Sequence, residues 1–492
     1  MTASAPRAVI VGAGLGGLAA AIRLRVMGYR VTVLEALAQI GGRARAWQRD
    51  GFTFDAGPTV ITAPYLIDEL FALGGWDRRE HVELVPLDPF YRILFPDGSR
   101  FDFVGDEERL LNQISAFDRR DVDGYRRLAK NARQIFDVGY GQLADQPFHR
   151  FRDMLRVLPA MARLRSDRSV YDAVARHIHD ERLRQVFSFE SLLVGGNPFE
   201  TTSIYLLIHW LERKWGVHYA RGGTHALIRA MADLLASLGV DVRTTAAMRE
   251  VIVERGRVHG VRVEDASGER MEPADIVVCN ADPSTVYREN IATRWRPLAT
   301  RRRMRQSMGL FVAYFGTTAT YPELAHHTVV MGPRYRGLLD DIFNRRVLSD
   351  DCSLYLHAPT RTDASMAPAG HEAFYVLSPV PNSRADIDWR REAPRYYDRI
   401  MSVLEERVLP HVKTRTVSVS WMTPDDFAGD LRSTDGSAFG PEPILTQSAW
   451  FRHHNKSPID GLYFVGAGTH PGAGIPGVLN SAKVLERIVP RP

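Results

Sequence analysis

Residues 8–35 read AVIVGAGLGGLAAAIRLRVMGYRVTVLE, and no other stretch constrains the fold as tightly. Ala8–Val11 is a short apolar run of the kind that forms a strand buried on both faces. Gly12, Gly14, Gly16 and Gly17 follow as a turn; Leu15–Met27 is alanine-rich and predicts a helix, which Gly28 ends. Arg30–Leu34 predicts a second strand with Glu35 at its tip. The first glycine of such a turn bends the chain, the second lets the backbone approach a pyrophosphate, and the third lets helix and strand pack closely. The helix N-terminus then offers free N–H groups and the positive end of its dipole to the phosphates. Glu35 lies 19 residues after Gly16, where a carboxylate accepts from ribose hydroxyls and repels a 2′-phosphate. A glycine pattern alone is weak evidence, since a tight turn in an ordinary βαβ unit has one too. Strand, helix, second strand and acid in register point to a dinucleotide other than NADP.

Two further glycine clusters extend this reading. Gly41-Gly42-Arg43-Ala44 and Asp55-Ala56-Gly57-Pro58 come after the ribose acid. A GGR there is foreign to the NAD pattern and suits the longer body of FAD, with Arg43 set to meet a phosphate; a surface loop is the plainer alternative. At the far end, residues 462–478 read LYFVGAGTHPGAGIPGV. Leu462–Val465 predicts a buried strand, Gly466, Gly468, Gly472, Gly474 and Gly477 a glycine-dense turn bent at Pro471 and Pro476, and Ser481–Ile488 a helix. Such a turn brings a second helix N-terminus to an anionic flavin. Both ends of the chain then build one FAD site. Its expected residues are Gly12, Gly14, Leu15, Gly16, Gly17, Glu35, Gly42, Arg43, Gly466, Gly468, Gly474, Ile475, Pro476, Gly477 and Val478.

Composition removes several other classes. The 492 residues suggest about two to four units at roughly 100–200 residues each. Hydrophobic residues at 45% and charged residues at 25% are ordinary for a globular protein, so disorder and disulfide scaffolds are excluded. The two cysteines, Cys279 and Cys352, form no CxxC, which excludes thiol–disulfide chemistry and cysteine-ligated metal and fits a reducing compartment. No cysteine follows Cys352, so a C-terminal cysteinyl–flavin bond is excluded. The net charge is +5, yet only five of the 63 basic residues are lysine, a skew that reads as codon usage. Most of these charges are interspersed with acids, so nucleic acid is not an expected partner. The first strand begins too early for a signal peptide, and no run of ~18 apolar residues exists to span a bilayer. Membrane contact is therefore expected to be peripheral.

Between the glycine clusters, Arg221-Gly222-Gly223-Thr224 opens a helix reaching about Leu238. Strand-like runs at 240–245, 249–254, 257–264 and 275–279 follow, a return to the dinucleotide unit. Further β-rich runs, Leu310–Phe315, Ser353–His357, Ala373–Leu377 and Val417–Met422, predict the sheet of a substrate domain joined by residues 85–135. His326, His327 and His357 show no HxxH or HExxH spacing, so no metal site is expected. Residues 136–215 are mostly helical. Within them Phe148, Phe151, Met154, Leu155, Leu158, Met161 and Leu164 recur at three- and four-residue steps among Arg150, Arg152, Arg156, Arg163, Arg165 and Arg168. A basic amphipathic helix of this type lies in an anionic membrane surface; a solvated helix packed on the core has the same composition.

GAGLGGLAAAIRL, GGRA, FTFDAGPTV, FSFESLLVGGNPF, RGGTHAL and GAGTHPGAGIPGV together resemble the bacterial-type phytoene desaturases of carotenoid biosynthesis, from about Val9 to Lys483. The first and last motifs are shared with many flavoproteins of the amine-oxidase type, and the middle ones are narrower. The resemblance implies an α/β protein: a discontinuous Rossmann-like FAD-binding domain from 1–75, 216–285 and 431–492, a mixed β-sheet substrate domain from 76–135 and 286–430, and a helical, membrane-contacting lobe at 136–215. It implies FAD, a lipid-soluble carotene substrate, and FAD-dependent desaturation of phytoene to neurosporene or lycopene, with hydride going to flavin N5. It also implies a cytoplasmic enzyme held peripherally at the membrane surface, with the terminal electron acceptor, oxygen or quinone, left open. Met248 falls where such folds meet adenine, and Leu192, Leu193, Phe199, Ile204, Tyr205 and Leu206 are candidates for an apolar tunnel, or for ordinary core.

FRDMLR recurs in the resembling family, which makes Asp153 a candidate for assisting proton loss and Arg156 for tuning it; an i,i+3 surface pair is the alternative. Glu190 stands where an uncharged residue is expected, and a charge there is costly if buried unpaired. A carotenoid isomerase, a ketolase or an amine oxidase shares this architecture. A non-catalytic escort of prenylated GTPases also shares it, but the intact Glu35 and glycine arrays argue against that. An NAD dehydrogenase accounts only for the first 35 residues.

Overall fold

The computed structural model describes residues 5–298 and 304–492. The stretches 1–4 and 299–303 of the expected domains lie outside the described residues. The strand Arg7–Val11 sits at the centre of a five-stranded parallel sheet, ordered Leu462–Phe464, Ile276–Cys279, Arg7–Val11, Arg30–Leu34, Asp241–Arg243. Residues far apart in sequence thus pair side by side, with Val9 opposite both Val277 and Thr32. The apolar run is continuous because both faces are covered. Ala8 and Ile10 enter one core with Leu18, Ile22, Leu479 and Ala482, while Val9 and Val11 enter another with Val251, Val261 and Phe464. That alternation is the two-residue period of a strand.

The helix Leu15–Val26 packs against the C-terminal helix Ile475–Ile488 and against Thr224–Ser237. Buried Arg23 ties this junction, pairing with Glu69 at 3.3 Å and with Glu486. On the opposite face lies an antiparallel meander, Ala247–Glu254, Arg257–Asp265 and Gly268–Pro273. Cys279 and Cys352 are free and buried; burial pushes their thiols up to about 12 and about 11, so neither is a reactive thiolate.

A second sheet has seven strands, ordered Thr416–Met422, Gly309–Thr317, Glu372–Val380, Leu354–His357, His327–Val330, Tyr91–Leu94, Arg100–Phe103. Three of the four β-rich runs read from sequence fall within these strands, and the fourth, Ser353–His357, starts one residue before its strand. Residues 85–135 join through Tyr91–Leu94, which pairs parallel with His327–Val330, whereas every other pair is antiparallel. His327–Val330, also a four-residue strand, was not among the runs read from sequence. One face of this sheet packs on the helix Trp389–Arg407. The other faces a helical layer that includes Asp121–Gly139 and Leu207–Trp215, while Phe151–Arg163 packs on Phe148, Ala449, Trp450 and Phe451.

Candidate active site

A cavity of about 570 Å³ starts at the glycine turn of the parallel sheet. Gly12 takes φ +93°, a left-handed conformation that swings the chain out of its strand. A Cβ at Gly17 would lie 1.9 Å from the Gly12 carbonyl oxygen, so only glycine lets the helix seat on the turn. Gly14 and Gly474 begin the helices Leu15–Val26 and Ile475–Ile488 with no side-chain cap and no acid in either first turn. Two bare helix N-termini therefore border one cavity. Glu35 is buried at its edge; its Oε2 accepts the Ala13 N–H at 2.8 Å and its Oε1 the Leu37 N–H at 2.9 Å. Arg43 Nη2 donates to Ser433 Oγ at 2.6 Å, and its buried Nε has no partner in the protein. An orphaned guanidinium N–H and two uncapped helix ends are what the phosphates of FAD require, so the residues present fit that cofactor.

Leu15, Gly16, Gly42, Met248, Gly466, Ile475, Pro476, Gly477 and Val478 border the same cavity. Met248 lies in the meander strand just before a register shift. Gly17 and Gly468, expected among the cofactor residues, stand outside the lining. Gly17 is consumed by helix packing, and a Cβ at Gly468 would lie 2.5 Å from the Pro283 ring. Asn280 was not anticipated. Its amide is wedged between the turns, since a Cβ at Gly14 would lie 2.8 Å from Nδ2, and one at Gly16 or Gly466 would lie 2.6 Å from Oδ1. Only its place directly after the strand Ile276–Cys279 hints at that role.

Past Gly57 and Thr59 the cavity becomes apolar. Leu192, Leu193, Ile204 and Tyr205 line it as expected, but Leu206 and Phe199 do not. Leu206 is buried in the core, and Phe199 stacks between Tyr171 and the Arg336 guanidinium. The seven-stranded sheet contributes Val312, Val329, Tyr355, Tyr375 and Leu377, which the sequence could not distinguish from core positions. Another part of the wall is the inner face of the helix Phe151–Arg163, with Val157, Ala160 and Met161. Its outer face exposes Phe151, Leu155 and Leu158 at 55%, 51% and 44%. Asp153 and Arg156 do not line the cavity. The Asp153 carboxylate accepts the Arg150 N–H at 3.1 Å, an N-terminal capping bond, and Arg156 is exposed.

Polar groups form two networks beside the apolar wall. Thr59 Oγ1 meets the hydroxyls of Tyr375 and Tyr355, and Tyr355 OH lies 2.7 Å from His327 Nδ1. His326, His327 and His357 gather within 4.8 Å of one another through the register that pairs His327 with His357, a grouping that linear spacing could not reveal. Burial drives His326 down to about 3 and the other two well below the ordinary imidazole range, so all three are neutral. In the second network Glu190 is buried with its Oε1 3.1 Å from His209 Nδ1, which answers the concern about an unpaired charge. Burial lifts this carboxyl well above its ordinary range and drives His209 down to about 3, so the pair is neutral–neutral.

Residues 15–484 match the model of the flavin containing amine oxidoreductase family. The chain is 49% identical to the phytoene desaturase (lycopene-forming) of Pantoea ananas, over 96% of this chain and 97% of that protein. It is 43% identical to the phytoene desaturase (neurosporene-forming) of Rhodobacter capsulatus, over 98% and 94%. Among solved structures, putrescine oxidase bound to putrescine shares the fold with a TM-score of 0.65 at 16% identity, over 99% of each chain. An oxidoreductase from Methanosarcina mazei does so at 0.64 and 17%, over 98% of this chain and 100% of that one. A dinucleotide cradle opening into an apolar cavity, and full-length similarity to these desaturases, place the chain in the flavin containing amine oxidoreductase family, among the bacterial-type phytoene desaturases.

Proposed function

We propose that this protein is an FAD-dependent desaturase that introduces C=C bonds into phytoene, giving neurosporene or lycopene. The observation that carries this reading is the continuity of one cavity, from the glycine turns and Glu35 to walls made almost wholly of aliphatic and aromatic side chains. A hydrocarbon offers no group for an ionic anchor, so the walls must hold it by shape and by water exclusion. Leu192, Leu193, Ile204 and Tyr205 on one side and Val312, Val329 and Leu377 on the other do this. Bound FAD supplies the two-electron acceptor for hydride. Glu35 holds the ribose end, Arg43 and the two helix N-termini the phosphates, and Met248 the adenine edge. An amine oxidase needs a polar or caged amine pocket; the apolar walls favour the carotene instead.

The substrate is dissolved in lipid, and entry past the helix Phe151–Arg163 follows from its two faces. Val157, Ala160 and Met161 border the cavity, while Phe151, Leu155 and Leu158 are exposed among Arg152 and Arg156. Among the described residues no helix is long and apolar enough to cross a membrane. The exposed apolar stripe among arginines supports contact with the cytoplasmic membrane surface through this face. The division into FAD domain, substrate domain and helical lobe belongs to the same reading, with oxygen or quinone reoxidising the flavin. Purified protein loaded with FAD and given liposomal phytoene tests it: coloured polyene bands are expected. A protein that retains FAD yet leaves phytoene unchanged, while oxidising an amine or isomerising a carotene, overturns it.

A further inference from the structure

Removing two hydrogens from a CH–CH unit as a hydride and a proton leaves the proton to be placed, and Asp153 does not reach the cavity. Three carboxyl groups do border it. Glu35 is committed to two backbone N–H groups. Asp430 is exposed and pairs with Arg45 at 2.9 Å. The third is Glu212, on the helix Leu207–Trp215, whose Leu207, Ile208 and Leu211 also face the cavity. Glu212 is 1% exposed. Its Oε1 accepts the Tyr91 hydroxyl at 2.7 Å, and its buried Oε2 has no partner. Close by stands Glu190, 3% exposed, with Oε1 3.1 Å from His209 Nδ1; His209 Nε2 lies 3.2 Å from Tyr125 OH. A buried carboxyl with one free oxygen, in the wall of an apolar cavity, is the residue type a proton acceptor needs.

We propose that Glu212 accepts the proton lost from the substrate carbon in each desaturation, with Glu190 as its positioning partner. The inference rests on the desaturase reading above. One C–H bond breaks with its electron pair leaving as hydride to the flavin; the other breaks with its pair becoming the π bond, and its proton forms the O–H bond of Glu212. Burial and the neighbouring carboxyl both disfavour a second negative charge, which holds the pair well above the ordinary carboxylate range and makes the ionised form a stronger base. The groups facing the pair do not neutralise it. Tyr91 and Tyr355 from the sheet and Tyr125 from Asp121–Gly139 are neutral hydroxyls, and His209 and His327 are neutral imidazoles. Arg213, on the same helix, spends its Nη1 on the carbonyls of Val104 and Gly105.

The test uses FAD-loaded protein and liposomal phytoene in single turnover across pH, beside the infrared carboxyl band of the same samples. The wild-type rate should rise with pH through an apparent pKa above the ordinary glutamate range. Glu212→Gln should lose about 10²- to 10⁴-fold in rate and lose that pH dependence, with FAD content unchanged. Glu212→Asp should restore part of the rate together with the profile, which a structural role would not do. Glu190→Gln should shift the profile toward acid. In the infrared, the wild-type minus Glu212→Gln difference spectrum should show a protonated carboxyl component that ionises at the same high pH, over the component that Glu190 leaves in both. Wild-type rate and profile in FAD-loaded Glu212→Gln overturn the proposal. So does a carboxyl band that ionises in the ordinary range, and that second result stands whether or not the wild type acts on phytoene. A wild type inert toward phytoene but with the shifted band instead overturns the desaturase reading.

Discussion

The Glu35 carboxylate is held by the N–H of Ala13 at 2.8 Å, a bond that reaches from the tip of one strand to the glycine turn after its neighbour. It fixes the side chain before any nucleotide arrives, with the Leu37 N–H holding the second oxygen. Glu35→Gln trades one of these acceptors for a donor facing a backbone N–H. A hydrogen bond to a charged group is worth about 1.5–3 kcal/mol, so FAD affinity should fall by roughly 10- to 100-fold. Flavin absorbance per chain after gel filtration measures this. Stoichiometric FAD in the variant would remove Glu35 from the site.

Gly17→Ala probes the closest backbone approach in the cradle. The new Cβ would sit 1.9 Å from the Gly12 carbonyl oxygen, so helix and turn must separate. Overpacking of this kind costs about 1–3 kcal/mol or more. A lower Tm and a loss of FAD are expected together. Gly429→Ala is the control, because a Cβ there meets nothing within 4 Å. Its Tm should be unchanged or slightly raised.

Asp153→Asn separates capping from chemistry. The carboxylate, at the third helical position, accepts the Arg150 N–H, and an asparagine Oδ1 can accept the same bond. Phytoene turnover with FAD retained should stay within about twofold of wild type, since the chemical step does not pass through a residue outside the cavity. A loss of a hundredfold or more would return Asp153 to the mechanism.

The cradle was legible in sequence because it is local. Gly12 to Glu35 is one βαβ unit, and turn chemistry, helix and strand all sit within a single window. The Gly466–Val478 turn was legible for the same reason, and its union with the first followed from chemistry rather than contact. Groups assembled by register were not legible. His327 meets His357 only because two strands pair, Glu190 meets His209 only because a 3₁₀ turn packs on a helix, and Asn280 meets three glycines across two turns. Cavity wall and core also have the same residue types, so the sequence could not tell Leu192, which lines the cavity, from Leu206, which does not.

Buried histidines set the acid side of stability. Burial lowers His209, His326 and His470 to about 3 in the folded protein, against about 6.5 when unfolded. The unfolded chain therefore takes protons first. The stability these groups contribute is full above about pH 6.5 and is lost as pH falls toward 3, by about 1.4 kcal/mol per pH unit for each. The Glu190–Glu212 pair acts in the opposite sense, its contribution being lost as pH rises through its raised range. His326→Gln should flatten the dependence of Tm on pH between 6 and 4. A slope equal to that of wild type would mean that His326 is protonated in the folded state.

The proposed route of the substrate makes the outer face of the helix Phe151–Arg163 the surface to test for lipid contact. Phe151, Leu155 and Leu158 form one stripe at four- and three-residue steps, and each leaves about half its side chain exposed. Burying a side chain of this size contributes about 1.5–3 kcal/mol when complete, so three half-exposed ones contribute a few kcal/mol at a bilayer surface. Arg152 and Arg156 add attraction to anionic headgroups that salt screens. The triple variant Phe151→Ser, Leu155→Ser, Leu158→Ser should lose at least tenfold in sedimentation with anionic liposomes. It should keep its flavin spectrum, because the cavity-facing Val157, Ala160 and Met161 are untouched. Its turnover should fall on liposomal phytoene and be retained on detergent-dispersed phytoene, which separates delivery from chemistry. Undiminished liposome binding would assign membrane contact to another face of the molecule.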